Sequence, residues 1–90
     1  MPQQTVVITN RLGIHARPAA IVVQTASRFA ADIYISKGDV HNVNGKSIMS
    51  VMMLAAEKES RVTVSAEGDD APEAVRTLAE LLASNFEGRI

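Results

Sequence analysis

The stretch Gly13-Ile14-His15-Ala16-Arg17-Pro18-Ala19-Ala20 decides how the chain folds. Before it stands the β-branched run Thr5-Val6-Val7-Ile8-Thr9, in which Val6 and Ile8 share one face at the two-residue period of a strand. After it comes a run reaching Phe29, with Ala19, Val22, Val23, Ala26 and Ala30 forming a buried helical stripe among the polar Arg17, Gln24, Thr25 and Arg28. The stretch is therefore a loop that turns into a helix. Pro18 has no backbone N–H and is tolerated in a first helical turn, so the helix starts close to Ala16 or Arg17 and His15 stands at its mouth. The first free N–H groups and the positive end of the helix dipole favour an anion there, and Arg17 adds a permanent cation.

Those parts suit a histidine that carries phosphate. Imidazole, with an unperturbed pKa of about 6.5, has a nucleophilic nitrogen near neutrality, and a nearby cation and helix N-terminus favour its neutral form. Once phosphorylated, the ring bears a dianionic group that N–H donors and a guanidinium hold by charge-assisted hydrogen bonds. A lone histidine in a loop is more often a solvated residue or a cap. Local pattern leaves both readings open, and the neighbouring Arg17 and Pro18 are what keep the first beside the commoner one.

Working outward, the 90 residues are enough for one domain with one core, and 47% are hydrophobic with only 3% aromatic, so the core is aliphatic. The net charge of −1 gives no general attraction to nucleic acid. The absence of cysteine excludes a disulfide framework, a thiol nucleophile and a thiolate metal site. The start lacks a signal-peptide pattern and no later apolar run could span a bilayer, so a cytoplasmic protein with no membrane insertion is expected.

Downstream, Asp32-Ile33-Tyr34-Ile35-Ser36 alternates as a half-buried strand, and Lys37-Gly38-Asp39 reads as a tight turn into a short partner over residues 40–43. His41 in that partner reads as a solvated strand residue, since no second histidine or acidic cluster at ligand spacing supports a metal site. Asn44-Gly45-Lys46-Ser47 breaks the strand, and Ser47 is placed to cap a helix within the apolar run ending at Ala56. The Gly-Lys-Ser triplet is no P-loop, because Val40 occupies the position that needs a glycine. Arg61-Val62-Thr63-Val64-Ser65-Ala66 is the last strand. Gly68-Asp69-Asp70-Ala71-Pro72 supplies a turn, a possible cap and a first-turn proline for a helix with the stripe Val75, Leu78, Ala79 and Leu82. Gly88, after Phe86, marks its expected frayed end. A four-stranded sheet with the helices on one face buries every stripe once, through two right-handed split crossovers, giving an α+β open-faced β-sandwich.

Gly13-Ile14-His15-Ala16-Arg17-Pro18-Ala19 resembles the active-site signature of the HPr family, the histidine-containing phosphocarriers of the bacterial phosphoenolpyruvate-dependent phosphotransferase system. Lys46-Ser47-Ile48-Met49-Ser50-Val51-Met52 resembles that family's regulatory-serine segment, and the likeness extends over nearly the whole chain, read as one domain over residues 1–90. The resemblance implies an antiparallel sheet of strand order 1-4-2-3 with three helices on one face, both helix mouths near one edge. It implies that His15 is phosphorylated through Nδ1 by phospho-Enzyme I and relieved by IIA-type proteins in sugar uptake and its regulation. Arg17 then balances phosphate charge, and Ala16 with the next N–H groups cradles it, with no metal or cofactor. Such a protein is a carrier within a relay, expected as a monomer, and not a stand-alone enzyme.

Ser47 matches the serine that HPr kinase/phosphorylase modifies in many bacteria, although an ordinary N-cap explains a serine here equally well. Lys46 could position either form, and Ser50 stands where several relatives have glycine. Ile48, Met49, Val51, Met52, Met53 and Leu54 are too many apolar residues for one buried stripe, so some must face outward. The resemblance implies that Ile48, Met49 and Met52, with Ala20 and Gln24 of the first helix, form the surface shared by partners.

Within the family, Thr9-Asn10-Arg11-Leu12-Gly13 and Met52-Met53-Leu54-Ala55-Ala56 look like the nitrogen-related regulatory branch, NPr, whereas Gln24-Thr25-Ala26-Ser27 looks like the sugar branch. A purely regulatory binding protein is a rival reading, but relatives of that kind lack the active histidine, and this chain retains His15 and Arg17. A ferredoxin-like RNA binder fits poorly, since the strands carry one aromatic residue, Tyr34, and no basic face.

Overall fold

The elements follow in the order β1 (Gln3–Val7), α1 (Ala16–Ala26), β2 (Asp32–Lys37), β3 (Val40–Asn44), α2 (Ile48–Met53), β4 (Arg61–Glu67) and α3 (Ala71–Ala83). They come from a computed structural model that describes residues 1–9, 13–14, 16–38, 40–54 and 56–84. β4 holds the sheet together. It pairs antiparallel with β1 on one side and β2 on the other, and β3 closes the far edge, giving the order β1-β4-β2-β3. This is the antiparallel 1-4-2-3 arrangement that the family resemblance implied.

The two-residue period sorts the sheet into two faces. Val62, Val64 and Ala66 are buried, and the register sets them beside Val6, Ile35 and Ile33 respectively. These side chains join Ala19, Val22 and Ala26 of α1, Val51 of α2 and Leu78 and Leu82 of α3 in one core, so the helices cover this face. Each fully buried aliphatic side chain of this size contributes roughly 1.5–3 kcal/mol. The opposite face is polar. Ser65 stands between Gln3 and Tyr34, and Thr63 between Thr5 and Ser36, with the Thr5 and Thr63 hydroxyls hydrogen-bonded at 2.8 Å.

In α3 the expected residues Val75, Leu78, Ala79 and Leu82 are buried, and the proline falls in the first turn. Gly88 and Phe86 lie outside the described residues. Some sequence expectations change. The first strand runs over Gln3–Val7, two residues earlier than expected, because pairing with β4 ends at Val7 opposite Arg61. The first helix ends at Ala26, short of Phe29. There the Ser27 hydroxyl donates to the carbonyl of Val23 at 2.8 Å, and the N–H groups of Arg28 and Phe29 reach back only three residues, tightening the helix into a turn. Ala30 is consequently exposed and Val23 half-buried. Asp70 precedes α3 but makes no side-chain cap bond. Its carboxylate instead accepts the backbone N–H groups of Ala30 and Ala31, at 2.9 and 2.8 Å.

Candidate functional site

The approach to α1 is held by the segment that follows α2. Ile14 is buried, and its N–H donates to the carbonyl of Ala56 at 2.7 Å. Gly13 has φ +69°, and a Cβ there would press on the Ala56 carbonyl oxygen and approach Glu57 Cα to 2.9 Å. Only glycine fits this turn without strain. The chain then enters α1 at Ala16. His15, the expected phosphoryl acceptor, lies outside the described residues. Ala16 and Arg17, which flank it on the helix side, are exposed, whereas Pro18 and Ala19 are buried and anchor the turn that carries them. The first turn contains no acidic residue, so nothing within it opposes an anion at this helix end.

α2 carries the second group of expected residues. Ser47 is its N-cap, in extended conformation, with its hydroxyl accepting the Ser50 N–H at 3.3 Å. Lys46 is fixed by its Nζ, which donates to the carbonyl of Phe29 beyond α1 at 2.7 Å. Within the apolar run, Val51 and Leu54 point into the core, while Ile48, Met49, Met52 and Met53 are exposed. α1 packs against α2. On α1, Gln24 is exposed and Ala20 half-buried.

Sequence reasoning missed Met53 as an outward residue, although the spacing from Met49 places the two on one helix surface. It also missed Lys37, whose Nζ donates to the Leu54 carbonyl at the end of α2 at 3.2 Å. No local pattern announces a contact between residues so far apart in sequence. His41 is exposed on β3. Among the described residues no group of three or more His, Cys, Asp or Glu side chains is placed to hold a metal ion, and no helix is long and apolar enough to cross a membrane.

Residues 2–84 match the family model described as the PTS HPr component phosphorylation site. The chain belongs to the HPr family. It is similar to the phosphocarrier protein HPr of Neisseria meningitidis serogroup A, with 43% identity over 86 residues and 96% of each chain covered. It is also similar to the HPr-like protein Crh of Bacillus subtilis, 46% identical over 79 residues, covering 88% of this chain and 92% of that one. Among solved structures, HPr of Thermoanaerobacter tengcongensis superposes with a TM-score of 0.89 at 44% identity over the full length of both chains. That organism's HPr is also solved as a dimer, matching at a TM-score of 0.72 and 46% identity over 96% of this chain and 98% of that one. An HPr-family phosphocarrier of the phosphotransferase system is thus the class in which the exposed Arg17, the capped α2 and its apolar face are to be understood.

Proposed function

We propose that this HPr-family protein takes a phosphoryl group from phospho-Enzyme I on His15 and passes it to IIA-type proteins in sugar uptake and its regulation. The observation that carries this reading is the family match across residues 2–84, which includes the phosphorylation-site signature with His15 and Arg17 both present. In the transfer, Nδ1 of neutral His15 attacks phosphorus as the bond to the donor breaks. Arg17 balances the phosphate charge, and Ala16 with the following N–H groups of α1 cradles the oxygens. Phosphoryl transfer depends on positioning and charge stabilisation, so a small carrier can present its histidine while larger partners supply the remaining groups. The protein acts within a relay and not as a stand-alone catalyst.

The same reading takes residues 1–90 as one domain acting as a monomer in the cytoplasm, with the α2 face of Ile48, Met49 and Met52, beside Ala20 and Gln24, as the docking surface for Enzyme I. Exposure of Ile48, Met49, Met52 and Gln24 supports that surface. Ser47 is the candidate for regulatory phosphorylation by an HPr kinase/phosphorylase. The likeness of the chain to Crh of Bacillus subtilis, described as a catabolite repression HPr, supports a regulatory role beside transfer.

The test is incubation of the purified protein with Enzyme I and labelled phosphoenolpyruvate, alongside His15→Ala. Acid-labile label in the wild type alone is the expected result. No label from an Enzyme I that is active on another HPr would reject the sugar-branch assignment. It would point to the nitrogen-branch reading, favoured by residues 9–13 and 52–56, or to a purely regulatory protein.

A further inference from the structure

Three of the four methionines in the chain fall within five residues, at positions 49, 52 and 53 on α2. None fills the core, which is built from Ile, Leu, Val and Ala. Met49 is 75% exposed, Met53 70% and Met52 43%. Separations of three and four residues make Met49 a surface neighbour of both others. The chain contains no cysteine, so these thioethers and that of Met1 are its only sulfur atoms.

We propose that Met49 and Met53 form a reversible oxidation site through which a peroxide silences the α2 docking face; the functional consequence rests on the docking reading given above. One oxygen of hydrogen peroxide passes to the thioether sulfur, the O–O bond breaks, water leaves, and sulfur gives up the two electrons that peroxide gains. Each flexible apolar side chain becomes a polar sulfoxide, which a methionine sulfoxide reductase returns to thioether with a dithiol as reductant. The fold survives the change because Val51 and Leu54 anchor α2 from its buried side, Ser47 caps its start, and Lys37 holds the Leu54 carbonyl.

The experiment treats the full chain with hydrogen peroxide, locates added oxygen by peptide mass spectrometry, and measures label transfer from phospho-Enzyme I before treatment, after it, and after reductase repair. Met49 and Met53 are expected to oxidise ahead of Met52. Transfer is expected to fall about tenfold, the scale of losing one interface anchor, and to recover on repair. The Met49→Leu/Met53→Leu variant, compared with its own untreated rate, should lose little on oxidation. Oxidation of Met52 before its neighbours, an unchanged rate for the oxidised wild type, or equal loss in the variant would each overturn the proposal. An untreated wild type that takes no label defeats the carrier reading instead, and the order of oxidation then decides the site alone.

Discussion

The carboxylate of Asp70 accepts the backbone N–H of Ala31 at 2.8 Å, across thirty-nine residues of chain. With its second oxygen on the Ala30 N–H, it ties the turn after α1 to the start of α3. The Ala30 bond, with those from the Ala31 N–H and its own backbone N–H and the charge of Lys46, lowers its pKa from 3.8 against a smaller opposing effect of desolvation. A depressed folded-state pKa adds stability that is fully present above the unfolded value and lost as pH falls through the folded one. Asp70→Asn should therefore lower stability at neutral pH and flatten the acid limb of a stability–pH curve below about 4. Urea titrations at several pH values read both effects; identical acid limbs would reject the assignment.

Lys46→Met should cost about 1–2 kcal/mol, because it removes the donor from the Phe29 carbonyl at the end of the same turn. The urea midpoint checks it, with an unchanged m-value showing that the fold is retained.

Gly13→Ala should cost about 1–3 kcal/mol, since its Cβ meets backbone at Ala56 and Glu57 that cannot swing aside. Gly38→Ala is the control. Gly38 also has a positive φ, +53°, but nothing lies within 4 Å of an added Cβ, so only the left-handed backbone is penalised, by about 1 kcal/mol. Equal losses in thermal unfolding would show that backbone conformation alone governs Gly13.

Ser47→Ala should destabilise by about 1 kcal/mol through loss of the bond to the Ser50 N–H, and Ser47→Asp should restore most of it, as aspartate is an equally good cap. Denaturant midpoints of the pair separate the capping role of the hydroxyl from any regulatory one.

Met49→Glu should slow phosphoryl transfer from Enzyme I about tenfold while changing stability by less than about 0.5 kcal/mol, the range for an exposed side chain outside the core. An unchanged rate would reject the docking surface.

How much of this was legible depends on range. The strand period at Val62, Val64 and Ala66 and the helical stripe at Val75, Leu78, Ala79 and Leu82 are local, and each is buried as its spacing requires. Ser47 was readable as a cap because capping chemistry spans three residues. The strand order came from resemblance, since side-chain alternation says which face is buried and nothing about which strand lies beside which. The bonds of Asp70, Lys46 and Lys37 join distant segments and have no sequence signature. For that reason the turn over residues 68–72 read only as holding a possible cap, with no sign that Asp70, at the N-cap position of α3, accepts two N–H groups left over from the shortened α1 turn.

The hydroxyl-lined side of the sheet, where Thr5 meets Thr63, lies across the strands from α1 and α2. A fluorophore or a surface tether attached at Gln3, exposed on that side, would hold the protein from behind. Molecules immobilised in this way keep Arg17 of α1 and the exposed methionines of α2 facing the solution, where label transfer can be tested.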